Sequence, residues 1–190
     1  MSNPNGTLNI SADRDFLAVL PISDGVVTIR TMLDADAEAY AAGTSDPSVK
    51  HFAHLPLDVY TPQIVRDMIQ GAISEGLHDG TLAVLTISDA GSDSFLGSLV
   101  FFDVKPTDAE IGYWVAPEHR GRRVSGRALT LAKDMARKLH LKKLRARTVQ
   151  ENPASERVLL RAGFKQVGEA RPEIVPSGKT EMSVNYLAEL

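Results

Sequence analysis

The sequence predicts a single α/β domain built on a mixed sheet. Apolar runs of strand length alternate with amphipathic stretches of helical period, in the order β-α-α-β-β-β-α-β-α-β-β. The chain has 190 residues, enough for one full hydrophobic core, and no repeat, low-complexity tract or Pro/Gly-rich linker divides it. With 43% hydrophobic and 24% charged residues, the composition is that of a folded globular protein.

Residues 1–21 read as a loosely attached N-terminal arm with one helical turn near its end, and residues 22–190 as the folded domain. Residues 26–30 form the first strand. Asp34 is an N-cap candidate for a short helix carrying Ala37, Tyr40 and Ala41, which Gly43 stops. Thr61-Pro62 starts a second helix, a capping hydroxyl followed by proline at the first helical position, and apolar residues keep helical period up to Gly76. Residues 81–88 and 94–104 are β-rich runs around a polar turn, and 110–115 is a third strand. The strongest helix starts near Ser125, with Ala128, Leu129, Leu131, Ala132, Met135, Ala136 and Leu139 on one face. A strand over 143–149 follows, then a short helix opened by Asn152-Pro153 and ended by Gly163, and two closing strands over 164–170 and 180–187.

The absence of cysteine excludes a disulfide scaffold, a thiolate metal site and a thiol nucleophile. No apolar run approaches the roughly 18 residues of a membrane span. The opening MSNPNG lacks both the basic flank and the apolar core of a signal peptide, so a cytoplasmic protein is expected. The net charge of -3 averages two unlike halves: residues 1–110 hold 5 basic and 16 acidic side chains, residues 111–190 hold 16 basic and 8 acidic. That polarity suggests an anionic partner for the second half and a cationic one for the first, or else solvated helix faces.

The chemistry concentrates between Glu110 and Phe164. A strand (EIGYWV) leads through a turn into His119-Arg-Gly-Arg-Arg-Val-Ser-Gly-Arg127, directly before the amphipathic helix. A helix N-terminus presents unpaired N–H groups, so a preceding loop of small and basic residues can cradle phosphate. Gly121 and Gly126 let the backbone come close, while Arg120, Arg122, Arg123 and Arg127 suit a pyrophosphate with a further phosphate. As a nucleoside-triphosphate loop the segment fails, because Arg127 stands in the lysine position and Ala128 has no hydroxyl for magnesium. Nucleic-acid binding is disfavoured because no aromatic residue between Trp114 and Phe164 can stack on a base. An acyl-CoA cradle is the remaining reading. His51 and His54 have an H-x-x-H spacing but no third ligand signature, so no metal is expected.

The span EIGYWVAPEHRGRRVSGRAL, followed by ENPASERVLLRAGF, resembles the GNAT superfamily of N-acetyltransferases, and within it the RimJ/RimL type that acetylates N-terminal amines of ribosomal proteins. The segments VVTIRTMLDADAEAYAAGTSDPSV and FLGSLVFF fit the same pattern, so the resemblance covers residues 22–187. It implies a mixed, mostly antiparallel sheet flanked by helices, acetyl-CoA as acyl donor, and an amine acceptor that is a protein N-terminus or a small molecule. It also makes a homodimer plausible from family habit. The family's cofactor loop has the form Arg/Gln-x-x-Gly-x-Gly/Ala; here Arg120, Gly121, Arg122, Arg123, Val124 and Ser125 fill it, with Gly126 and Arg127 following. Both small positions are changed, and Arg123 puts a side chain where glycine usually admits the pyrophosphate.

The family's direct transfer from thioester to amine needs a base, a donor to the thioester oxygen and a donor to the departing sulfur. Glu110 is the first choice for the base, with His51 or His54 as rivals. The Val115 N–H, at the strand end, is the expected donor to the oxygen. By strand alternation Glu110, Gly112 and Trp114 share one face, and Ile111, Tyr113 and Val115 the other. Many members carry a tyrosine at the position that is Leu159 here, whereas the RimJ/RimL pattern Asn-x-x-Ser is matched by Asn152 and Ser155. The resemblance therefore implies Ser155 as general acid and Asn152 as a CoA contact, although both also suit purely local capping. Tyr113 and Trp114 read as packing residues. The alternative function is a regulatory module that keeps an acyl-CoA pocket without catalysing transfer, a reading encouraged by Arg123 and Leu159.

Overall fold

The computed structural model describes residues 14–190. Eight strands, β1 (Ile22–Ser23), β2 (Val27–Thr31), β3 (Ala83–Asp89), β4 (Phe95–Phe102), β5 (Asp108–Val115), β6 (Lys143–Val149), β7 (Lys165–Ile174) and β8 (Thr180–Glu189), form one sheet in the order β1-β2-β3-β4-β5-β6-β8-β7. Every neighbouring pair is antiparallel except β5 and β6. The helices are α1 (Ala37–Thr44), α2 (Pro47–Phe52), α3 (Pro62–Met68), α4 (Ser74–Asp79), α5 (Val124–Lys138) and α6 (Pro153–Arg161). This is the expected mixed, mostly antiparallel sheet flanked by helices.

Helix starts follow their capping chemistry. Thr61 Oγ1 accepts the Ile64 N–H at 3.2 Å and Asn152 Oδ1 accepts the Ser155 N–H at 3.1 Å, each just ahead of a proline. The sequence reading missed α2, which has the same signature: Asp46 Oδ1 accepts the Val49 N–H at 3.0 Å before Pro47. Gly43 does not end its helix. It lies inside α1 because the Trp114 ring occupies the space beside it; a Cβ there would sit 2.4 Å from Trp114 Cζ3. A π turn over Ile69–Ile73 joins α3 to α4, and Gly80, in the left-handed region, closes α4.

Helix α5 lays Ala128, Leu129, Ala132, Met135 and Ala136, all buried, onto one face of the sheet, with α6 beside it; α1, α3 and α4 cover the other. Leu85, Ile87, Leu99, Phe101 and Ile111 lie between the layers. Leu17–Val19 forms one 3-10 turn, and Phe16 is fully buried with its ring centroid 5.5 Å from that of Phe101, so apolar anchoring fastens this stretch to the core. Residues 1–13 lie outside the described residues. Among the described residues no helix is long and apolar enough to cross a membrane, and no three His, Asp or Glu side chains group as metal ligands.

Candidate active site

The site originates in a defect of the sheet. Parallel β5 and β6 pair only at Asp108 with Lys143, Ala109 with Leu144 and Glu110 with Arg145; beyond Glu110 the strands diverge although both continue. The opening leads into a cavity of about 770 Å³ that passes from the α5–α6 side of the sheet to the α1–α4 side. Ala116 N–H donates to Leu96 O at 2.9 Å, so the alternation of an antiparallel ladder turns the N–H and C=O of Val115 away from β4 and toward the opening. The carbonyl is engaged by Arg120 Nε at 3.2 Å.

The loop between β5 and α5 carries the basic residues. Gly121 has φ +76° and Arg123 φ +62°, and this pair of left-handed residues turns the chain into α5 without a capping side chain. The N–H groups of residues 121–126 find no acceptor among the described residues. They form a nest of donors at the positive end of a 15-residue helix. A Cβ at Gly121 or Gly126 would meet nothing within 4 Å, so the space beside the nest is open. The Arg123 side chain is exposed, and Val124 is buried as the first anchor of α5. Arg120 Nη2 reaches Asp46 at 2.6 Å and Arg127 Nη1 reaches Asp24 at 2.6 Å, whereas Arg122 meets only His119 Nδ1 at 3.4 Å. A donor nest with two uncommitted guanidiniums beside a through-sheet cavity fits the diphosphate and extended arm of CoA.

Across the opening, Ser155 sits in the first turn of α6, and Asn152 is its N-cap. The Ser155 Oγ lies 3.1 Å from the Tyr113 hydroxyl. Burial pushes the Tyr113 phenol up to about 12, against a smaller downward effect of Ser155, so it remains a proton donor across ordinary conditions. Ser125, Val115, Tyr113, Asn152 and Ser155 all line the cavity. Tyr113, read from the sequence as packing, is partly buried but also lines the cavity and meets Ser155; its alternation onto the α6 face was the available signal. Leu159, fully buried, supplies no hydroxyl.

Glu110 also lines the cavity, on the α1–α4 side. Arg145 is its register partner on β6 and Arg147 lies two residues on, hence on the same face. Arg145 Nη1 donates to Glu110 Oε2 at 3.1 Å, while Arg147 Nε approaches Oε1 at 2.7 Å as an ionic contact outside hydrogen-bond alignment. Burial raises the Glu110 pKa above the ordinary carboxylate value, with Arg147 and Arg145 opposing that rise. His54 lines the same cavity with Nε2 buried and unpartnered, and desolvation holds its pKa below the ordinary imidazole value. His51 is exposed on α2, its ring against Phe52, and does not line the cavity.

The comparisons agree with this geometry. The family model described as an acetyltransferase (GNAT) domain matches residues 27–165. No curated protein is significantly similar in sequence. Among solved structures, RimJ of Mycobacterium smegmatis in complex with CoA-disulfide superposes with a TM-score of 0.74 at 22% identity, covering 87% of this chain and 82% of that one. The ribosomal-protein-S5-alanine acetyltransferase of Vibrio fischeri gives 0.75 at 18% identity, covering 90% and 96%. The microcin C7 self-immunity acetyltransferase MccE, in complex with acetyl-CoA and AMP, gives 0.76 at 17% identity, covering 88% and 94%. The splayed parallel pair, the donor nest at the head of α5 and a family match over most of the chain converge: this chain belongs to the GNAT family of acyl-CoA-dependent N-acetyltransferases.

Proposed function

We propose that the protein transfers the acetyl group of acetyl-CoA directly to a primary amine. Acetyl-CoA supplies an activated acyl carbon when bound. The nest at residues 121–126, with Arg122 and Arg123, holds its pyrophosphate, and Asn152 together with the β5–β6 opening holds its arm. Val115 N–H donates to the thioester oxygen as charge develops there. Glu110 takes the proton that the amine must lose, its raised pKa bringing its basicity closer to neutral pH. As the new C–N bond forms and the C–S bond breaks, the Ser155 hydroxyl, oriented by Tyr113, protonates the departing sulfur, and the second proton shed by the acylated nitrogen restores it.

The observation that carries this reading is the Tyr113–Ser155 hydroxyl pair, which lines the cavity beside the splayed strands. A module that only binds acyl-CoA has no need of it. Acetyl-CoA is expected to raise the melting temperature, and Ser125→Arg to abolish that rise by filling the cavity at the head of α5. Glu110→Gln and Ser155→Ala are expected to keep the rise while losing turnover. Absence of any shift at millimolar acetyl-CoA would sink the assignment.

A further inference from the structure

The α1–α4 half of the cavity has an uneven chemistry. Its walls are apolar, with Leu55, Tyr60, Met68, Ile73, Val84 and Val100 among them. Two of the hydroxyls there have partners: Tyr60 accepts the Leu57 N–H at 3.2 Å, and Ser98 donates to Leu85 O at 3.0 Å. His54 Nε2, in the lining of this cavity, is buried without a hydrogen-bond partner among the described residues, while Glu110 Oε1 has only the misaligned ionic contact with Arg147 Nε at 2.7 Å. Both can accept a hydrogen bond. An unmet buried acceptor is costly, and a head group with several N–H donors relieves it.

Glu110 is the one carboxylate in the lining, and Arg147 and Arg120 are also there. A polyamine or an aminated sugar would bring further ammonium groups with no second carboxylate to meet them, and a guanidinium opposing them. A peptide N-terminus would bring a backbone N–H and C=O with each residue into walls that are mostly apolar. An apolar body suffers neither penalty. Outside, Leu57 at 45% exposure and Val59 at 63% extend the apolar surface from the cavity's rim.

We propose that the acceptor is a small monoamine whose nitrogen is carried on an apolar alkyl or arylalkyl body, the nitrogen meeting Glu110 and His54 and the body lying against the walls of α3, β3 and β4. The proposal rests on the acetyl-transfer reading above and narrows its substrate. The apolar surroundings also favour the neutral, nucleophilic form of the amine over the ammonium.

The test measures thiol release from acetyl-CoA by the full chain with ethylamine, butylamine, hexylamine, 2-phenylethylamine, spermidine and a serine-initiated hexapeptide. The expected result is a kcat/KM that rises about fourfold per added methylene from ethylamine to hexylamine, with phenylethylamine accepted and spermidine and the peptide poor. Met68→Glu, at a half-buried position of the wall, should lower kcat/KM for hexylamine about tenfold or more and favour spermidine, while the thermal shift with acetyl-CoA persists. A flat dependence on chain length, or spermidine or the peptide matching hexylamine, would overturn the proposal while leaving acetyl transfer standing. No thermal shift with acetyl-CoA overturns the acetyl-transfer reading itself and this proposal with it.

Discussion

The hydroxyl pair makes a quantitative demand on a double-mutant cycle. Tyr113 stays protonated with its hydroxyl 3.1 Å from Ser155 Oγ, and the proposed route requires it to donate there, leaving the serine proton for the departing sulfur. Removing a preorganised donor at a site of developing charge costs about 2.7–4 kcal/mol, or ~10²–10³-fold in rate. Ser155→Ala should fall in that range in single-turnover acetyl transfer. Its helix cap survives, because Asn152 Oδ1 accepts the backbone N–H of residue 155 and not its side chain. Binding of acetyl-CoA, followed by thermal titration, should therefore change by no more than about twofold, a shift below the worth of one neutral hydrogen bond. Tyr113→Phe removes one neutral hydrogen bond, about 0.5–1.5 kcal/mol, and should slow transfer by roughly 2- to 12-fold. Since Tyr113 acts through Ser155, the double variant should be no slower than Ser155→Ala alone, with a coupling energy equal to the whole tyrosine effect. A serine variant within about twofold of the parent rate, or strictly additive losses, would refute the proposed proton route.

Gly43→Ala gains about 1 kcal/mol in helix propensity, but its Cβ would lie 2.4 and 2.6 Å from ring atoms of Trp114, which Tyr40 and Phe95 hold in place with centroids at 5.2 and 5.7 Å. Overpacking of about 1–3 kcal/mol should outweigh that gain, so urea denaturation should show a lower midpoint; a higher one contradicts the packing. For Asp36, burial pushes the pKa up, but hydrogen bonds from Arg30, the Leu33 N–H and Thr86 outweigh it and hold the value below the ordinary one. A depressed folded pKa contributes stability above the unfolded value of about 3.9 that is lost as pH falls through the folded one. Asp36→Asn should thus cost about 3 kcal/mol at neutral pH, with the deficit against the parent shrinking below pH ~4; a deficit that is constant with pH refutes the linkage. Glu110, shifted upward by burial, should give kcat/KM a rising limb centred above the ordinary carboxylate value, and Glu110→Gln should remove that limb and lower the rate by about 10² or more.

Which of these features the sequence announced depends on whether their causes are local. The run from β5 through α6 was legible because its determinants are neighbours: Gly121, the basic residues, the amphipathic face of α5 and the Asn152-Pro153 cap. The Asp46-Pro47 start of α2 was equally local and was missed only because the helix is six residues long. Gly43 was misread for a different reason, since what decides its role is a tryptophan ring from another strand. The same holds for Tyr113 and Ser155, 42 residues apart, and for the apolar cavity half, whose walls come from α1, α2, α3, the π turn after it and three strands. Arg123 illustrates the limit of a motif. The left-handed φ explains why glycine suits that position, and an exposed arginine can occupy it at about 1–2 kcal/mol of strain without blocking the amides around it.

The opposed charges of the two halves acquire a physical meaning that composition alone could not supply. Asp24 pairs with Arg127, Asp46 with Arg120, and Asp103, Asp108 and Glu110 with Arg145. Acids of the first half thus meet bases of the second within the molecule, and several of these pairs flank the β5–β6 opening, where backbone pairing is missing. They do not leave an acidic bowl for a cationic acceptor, and the cavity lining holds one carboxylate against two arginines. Two of the four loop arginines are likewise neutralised by carboxylates, which leaves Arg122, Arg123 and the amides of residues 121–126 as the groups for the proposed anion binding. Amide donors close to a phosphate are screened less by salt than exposed guanidiniums are. The affinity for CoA should consequently depend on ionic strength far less than a loop with four arginines would suggest.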